Sequence, residues 1–344
     1  MRRAAPAVLA ALLLAACGAE PAERSAQRPS RTVATNLDVP WGIAFLPGGD
    51  ALVAQRDRGT IVRISRRTGR KRVVMRLDVS TGTDSEGGLL GLAVSPSYRR
   101  DRFVYAYYTT ASENRIVRFR LGGRVRPLFT GIPRGQHHNG GRLVFGPDGK
   151  LYAGTGDAGD RSRAQRLDSE GGKILRLNPD GSVPRDNPFR GSLVWSLGHR
   201  NVQGLAFDRA GRLWATEFGQ NRVDEVNLIR RGRNYGWPAV EGRGDTQGGR
   251  FTNPKRTWST GEASPSGAAI RGSSLYVAAL RGEALWRVPL RGTRTLRPRR
   301  LLHGRYGRLR TVVVAPDGSL WVATSNRDGR GSPRRGDDRI VRLR

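Results

Sequence analysis

Read for its apolar and polar positions, the chain repeats one phrase. A small residue leads into a short apolar strand, a turn of Pro-Asp-Gly character follows, and a second apolar strand comes next. A later strand reads close to Ile-Val-Arg-Leu. The phrase occurs as WGIAFLPGGDALVAQ…GTIVRI over 41–64, GGLLGLAVSPSYRRDRFVYAYY…NRIVRF over 87–119 and GGRLVFGPDGKLYAGTGD…GGKILRL over 140–177. It returns as VQGLAFDRAGRLWATEFG…DEVNLI over 202–229, SGAAIRGSSLYVAAL…EALWRV over 266–290 and LRTVVVAPDGSLWVAT…DRIVRL over 309–343. Short strands with Gly, Asp and Asn turns, and no long helical period beyond the N-terminal run, predict an all-β chain. Three or four strands cannot bury both of their faces alone, so six such units must stack on one another. The prediction is a six-bladed β-propeller over residues 31–344, with no internal domain boundary. A β-sandwich with coincidental turn phrases is the alternative. Residues 31–38 are expected to pair with the last unit and close the ring.

The N-terminus stands outside this pattern. Arg2 and Arg3 precede an apolar run over 7–16, too short to span a bilayer and of the kind that directs secretion. It ends Leu14-Ala15-Ala16-Cys17-Gly18, the pattern of a bacterial lipobox, so residues 1–17 are expected to act as a lipoprotein signal with Cys17 as the lipidated residue. A signal peptide with a coincidental cysteine is the plainer alternative. Residues 18–30 are rich in Pro, Ala and Ser and read as a flexible tether. The expected location is therefore the outer face of the cell membrane. Cys17 is the only cysteine, so no intramolecular disulfide can form and the core alone must hold the domain.

The net charge is +32, and nearly all the cations are Arg. Nucleic-acid binding calls for a concentrated basic helix, arm or patch with interleaved aromatics. Here the arginines are spread over every segment, which argues against nucleic acid and for a solvated basic surface drawn to anionic lipid or wall polymers.

Candidate chemistry centres on residues 136–157, QHHNGGRLVFGPDGKLYAGTGD. A hairpin would bring His138, at one strand's entrance, close to Asp157, past the next strand's exit, and a His held by a carboxylate is a competent base. The plainer reading is that each residue caps a loop. Other polar phrases share the same phase in their repeats: Glu86, the Gly198-His199-Arg200-Asn201 run, and 217–221 with Gly219 and Gln220. Arg281, Arg308 and Arg310 do so as well. Such positions converge near a propeller's axis. Four phased arginines (Arg200, Arg281, Arg308 and Arg310) point to an anionic ligand, because unpaired guanidinium groups would repel one another. Insertions at 158–170, 178–194 and 230–265 are candidate pocket walls. Tyr235 and Trp237 in GRNYGWP read as packing and loop shape rather than substrate contact.

From about Val39 to Leu343 the chain resembles the glucose/sorbosone dehydrogenase family of soluble aldose dehydrogenases that depend on pyrroloquinoline quinone. The motifs are EGGLLGLAVSP (86–96), HHNGGRLVFGPDGKLY (137–152), GGKILRLNPDGSVPRDNPF (171–189), LGHRNVQGLAF (197–207), DEVNLI (224–229), GRNYGWP (232–238) and GRLRTVVVAPDG (307–318). LGHRN followed by NYGWP is the most specific combination. The resemblance implies oxidation of an aldose at its anomeric carbon to a lactone, with electrons passing on to an external acceptor. It makes His138 the base, oriented by Asp157. Arg200 and Asn201 would contact the quinone oxygens, Arg200 stabilising the charge of reduction, while Arg281, Arg308 and Arg310 would pair the cofactor's carboxylates. Glu86 falls at a cofactor-lining position, and a calcium ion would be held by the backbone carbonyls of Gly219 and Gln220. Some members carry Gln in place of Glu86 and Asp in place of His137; these two residues could pair with each other here. Many carry Lys in place of Arg281 and Pro in place of Gln220. Loops shorter than in the glucose-oxidising members leave the sugar preference open, and with it the choice between monomer and weak dimer. Competing functions are a calcium-dependent lactonase-like hydrolase, which needs carboxylates around an axial metal, and a non-catalytic propeller that binds carbohydrate or protein.

Overall fold

Each repeated phrase folds as one antiparallel sheet in the computed structural model, which describes residues 30–82 and 85–344 together with Met1. The first sheet runs Pro40–Phe45, Ala51–Gln55, Thr60–Ile64 and Lys71–Arg76, each strand bonded to the next. The same order recurs in sheets that begin at Leu89, Leu143, Val202, Pro265 and Leu309. The expected six-bladed β-propeller is the observed fold. Among the described residues the helical elements are one short turn of α-helix, Tyr98–Asp101, and a 3-10 turn, Arg161–Gln165.

The burial pattern explains why the strands read as apolar runs rather than as alternations. The second strand of every sheet is buried at all its positions, as in Ala51–Gln55, Val104–Thr109 and Leu320–Thr324. A blade has a neighbour on each face, so neither set of side chains meets water and the usual period of two is lost. Exposure is greatest at the rim, where Lys71–Arg76 is mostly open to solvent. Six apolar clusters result, one between each pair of successive blades. Leu52, Ile61, Leu89 and Val104 join the first two blades, and Leu285, Leu309, Val322 and Val341 join the last two. At about 1.5–3 kcal/mol for each large apolar side chain fully buried, such an interface outweighs any single hydrogen bond.

The ring closes through the chain's own start. Ser30–Ala34 pairs antiparallel with Ile340–Leu343, with Ser30 opposite Leu343 and Thr32 opposite Val341. It forms the outermost strand of the sixth sheet. Backbone bonds continue the contact from Asn36 to Gly336 and from Leu37 to Asp338. Ala34 and Leu37 enter the cluster that Trp321, Ala323 and Ile340 share with Ile43 and Val53 of the first blade.

The innermost strands crowd toward the axis. A Cβ on Gly91 would lie 2.1 Å from the Gly141 carbonyl oxygen, so only glycine lets the second and third blades meet there. Five innermost strands shift register near their first residues, as between Leu89 and Leu92 or Leu309 and Thr311. The irregularities fall beside the polar phrases, at the start of the innermost strands. Bulges near a site re-aim side chains in this way.

Deleting the closing strand tests this account. Relative to residues 25–344, a chain of residues 36–344 should lose about 2–5 kcal/mol of stability, from several ladder bonds worth roughly 1 kcal/mol each and lost apolar cover. Urea unfolding at equilibrium reads the difference; an unchanged midpoint would remove the strand from the closure.

Candidate active site

The third blade brings His138 and Asp157 together. Leu143–Phe145 pairs with Leu151–Gly154, Leu143 opposite Ala153, so the segments before the first strand and after the second leave the sheet side by side. His138 Nδ1 lies 2.7 Å from Asp157 Oδ1. The Gly159 N–H also donates to Oδ1 at 2.9 Å, and Trp237 Nε1–H donates to Oδ2 at 2.8 Å. Burial alone would raise the Asp157 pKa; the hydrogen bond from His138, its charge, and the Gly159 and Trp237 donors more than offset it, so the group sits below its ordinary value. An ionised Asp157 accepts a hydrogen bond from Nδ1–H of the imidazole, which leaves Nε2 as the basic nitrogen.

The backbone of His138 is left-handed, with φ of 61°, a conformation that costs a non-glycine residue on the order of 1 kcal/mol. It is held from both sides. The His138 N–H donates to Glu86 Oε2 at 3.0 Å, and the His138 carbonyl accepts the Ala158 N–H at 3.2 Å. The other Glu86 oxygen accepts Arg330 Nη1 at 2.8 Å. Glu86 therefore braces the base and does not pair with His137, which is exposed.

The fourth blade supplies the Gly-His-Arg-Asn run. His199 is fully buried with both ring nitrogens engaged, Nδ1 at 2.9 Å from Glu217 Oε1 and Nε2 at 2.9 Å from Ser196 Oγ, and it stacks on Tyr235. It is structural. Arg200 is tied at its backbone, where the N–H donates to Glu217 Oε2 and the carbonyl accepts the Asp157 N–H. Its guanidinium lies 5.4 Å from the centre of the Trp237 ring. Asn201 Oδ1 accepts the Gly140 N–H at 3.0 Å, which fixes the direction of the amide nitrogen. Arg200 Nε and Asn201 Nδ2 are buried with no hydrogen-bond partner among the described residues. Leaving such donors unmet costs about 1–3 kcal/mol each, so the pair calls for a ligand rich in acceptors.

The sixth blade adds the cations. Arg308 donates to Asp328 through Nε and Nη2 at 3.0–3.2 Å, and Arg310 reaches the same carboxylate through Nη2 at 3.1 Å. Arg310 Nη1 also donates to Gln203 Oε1 at 3.0 Å. Burial pushes Arg310 down to about 10, still cationic at neutral pH. Two guanidinium groups share one carboxylate, so a positive charge is left over. The fourth phased arginine, Arg281, follows the strand Ser274–Ala279 on the fifth blade; it is exposed and not joined to this cluster.

Sequence reasoning missed Asp328 and understated Trp237. Asp328 follows the sixth blade's second strand, Leu320–Thr324, as Asp157 follows the third blade's, Leu151–Gly154, and that placement was the available signal. Trp237 is buried, but its indole also holds Asp157. Two insertions clamp it there: Gln165 Nε2 donates to the Trp237 carbonyl at 2.6 Å, and Asn234 Nδ2 donates to Gln165 Oε1 at 2.7 Å. Beneath them Lys173 is wholly buried, with Nζ donating to the Arg163 and Gly171 carbonyls at 2.6 and 2.7 Å. Its burial pushes the ammonium down to about 7.

Gly219 and Gln220 occupy a turn after the strand Leu213–Glu217. Among the described residues no group of three His, Cys, Asp or Glu side chains is placed to ligate a metal. Cys17 lies outside the described residues.

An all-β propeller with a carboxylate-held imidazole and buried cations at one mouth defines a class of protein, and the comparisons give the family. A family model for glucose/sorbosone dehydrogenase matches residues 37–336, and the chain belongs to that family. Quinoprotein glucose dehydrogenase B of Acinetobacter calcoaceticus is 34% identical over 262 residues, 65% of this chain and 55% of that protein. Aldose sugar dehydrogenase YliI of Escherichia coli is 29% identical over 330 residues, 85% of this chain and 89% of that protein. The solved structure of a PQQ-bound aldose sugar dehydrogenase from Streptomyces coelicolor is 54% identical, with a TM-score of 0.87, and the match covers 91% of this chain and 96% of that one.

Asp157→Asn tests the carboxylate's part. One amide oxygen cannot serve the three donors that two carboxylate oxygens accept, so turnover should fall about 100-fold or more, the scale of a misplaced general base. Steady-state kinetics alongside thermal unfolding separates this from collapse; a variant with full turnover would detach Asp157 from the chemistry.

Proposed function

We propose that this protein is a quinoprotein aldose dehydrogenase that oxidises the anomeric carbon of an aldose to the lactone. The observation that carries the reading is the pair of buried, unmet donors, Arg200 Nε and Asn201 Nδ2, tied by backbone bonds to the His138–Asp157 pair. The residues fit pyrroloquinoline quinone, whose carbonyl and carboxylate oxygens are acceptors and whose negative charge matches the surplus at Arg308 and Arg310. When bound, this cofactor accepts the hydride released from the anomeric carbon.

The chain's own residues supply base, orientation and charge. His138 Nε2 takes the proton of the anomeric hydroxyl, and Asp157 steadies the imidazolium that forms. Glu86 and Trp237 hold that pair in place from opposite sides. Arg200 and Asn201 would donate their unmet N–H groups to the quinone oxygens, and the charge of Arg200 would stabilise negative charge there. Arg308 and Arg310, spaced by Asp328, would anchor the cofactor's carboxylates. A calcium ion held by the Gly219 and Gln220 carbonyls would polarise the reacting carbonyl as a Lewis acid. Arg281, exposed beyond the strand Ser274–Ala279, would pair with a cofactor carboxylate as well. An external acceptor would take the electrons on from the cofactor. The lipobox pattern ending at Cys17 supports an exported protein held by a lipid anchor on the outer face of the membrane.

Reconstitution of the purified protein with pyrroloquinoline quinone and calcium, followed by dye reduction over a panel of aldoses, checks the class directly. Turnover that depends on the quinone is expected; a protein that takes up no quinone is a surface-binding propeller instead. His138→Ala should lower kcat by about 100- to 10,000-fold, the range of general-base catalysis, with quinone uptake retained. Lost uptake would reassign His138 to binding. Cys17→Ser should move the protein from the membrane fraction to the soluble fraction; unchanged partition would exclude the anchor.

A further inference from the structure

The turn that carries Gly219 and Gln220 is held from below by two carboxylates. The Gly219 N–H donates to Asp224 Oδ1 at 3.0 Å. The next four N–H groups, of Gln220, Asn221, Arg222 and Val223, converge on one oxygen, Glu241 Oε1, at 2.8, 3.1, 2.9 and 3.2 Å. This is a backbone nest closed on an anion, and here the anion is built into the chain. In a planar trans peptide the carbonyl of one residue points opposite to the N–H of the next. Five N–H groups drawn down onto carboxylates therefore turn the carbonyls of residues 218–222 the other way. Phe218 shows where that side faces: its carbonyl is 3.4 Å from Arg200 Nη1. Gly219 is required for the closure, because a Cβ there would lie 1.8 Å from the Val223 carbonyl oxygen and 2.7 Å from Glu241 Oε1.

We propose that Glu241 is the positioning residue for the active-site cation, the group that sets the 218–223 turn so that the Gly219 and Gln220 carbonyls face the cofactor. This rests on the reading of the site given above. Glu241 lies in the 230–265 insertion, outside the six strand phrases, and touches the turn through its carboxylate. The carboxylate acts twice. It fixes the direction of the carbonyls, and its charge polarises the same peptide groups, which places more negative charge on the oxygens that meet the cation. Gln220, Asn221 and Arg222 are exposed, so little apolar packing would hold the turn in its absence.

The test compares wild type with Glu241→Ala and Glu241→Gln. Calcium is titrated into apo-protein with fixed pyrroloquinoline quinone; quinone absorbance reports uptake, and calorimetry reports calcium binding. The half-saturating calcium concentration should rise at least 10-fold in Glu241→Ala and by less in Glu241→Gln, whose amide oxygen still accepts N–H groups without the charge. Turnover should recover at saturating calcium. An unchanged half-saturation point in either variant overturns the role of Glu241; the Gln variant decides the matter if the Ala variant does not fold. A wild-type protein that takes up quinone equally well without calcium fails differently: the cation reading itself falls, and this inference with it.

Discussion

A sheet of three or four strands has two apolar faces, and in this protein each face is covered by the next sheet around the ring. That mutual cover is the constraint on which the rest depends. It explains the fully buried second strands, the near absence of helix and the six separate clusters between blades. It also explains why the chain's start must return to its end. An unclosed sixth sheet would expose both an apolar face and a row of unpaired backbone groups. Ser30–Ala34 covers them.

Ring closure also creates the site. The innermost strands crowd toward the axis, where glycines such as Gly91 permit the close approach, and in five of the six the register breaks near the strand's start. The segments just outside the strands are thereby gathered from distant parts of the sequence into one place. His138 meets Asp157, Asp157 meets Trp237 some eighty positions on, and Asn201 meets Gly140. Each catalytic candidate is held by a second residue whose own position is fixed by a blade. The unmet donors and surplus cations look outward for a ligand.

The distribution of charge at this mouth is asymmetric. Arg308 and Arg310 are partly neutralised by Asp328, and Glu86 is engaged by Arg330. On the fourth blade the carboxylates instead turn toward backbone: Glu217 receives the Arg200 N–H, Asp224 and Glu241 the N–H groups of the 218–223 turn. One side thus carries guanidinium groups, and the other carries backbone N–H groups bound to carboxylates.

The sequence alone was enough for the architecture, because a repeating apolar phrase with fixed turns leaves few ways to bury its faces. It was enough for the His138–Asp157 pair too, since a hairpin joins residues close along the chain. The phasing of polar phrases located the mouth. What the phasing could not settle is which polar residues face a ligand and which face each other. Asp328 sits on Arg308 and Arg310, Glu86 on the amide of His138, and Arg281 is exposed, although all lie at the start of a blade's first strand or after its second. Those assignments depend on side-chain reach across blades far apart in sequence, and on backbone directions such as those in the turn beneath Glu241. Periodicity carries the spacing of a strand's residues. It carries nothing of the bulge or nest that turns a carbonyl by half a revolution, and only the closed ring decides those.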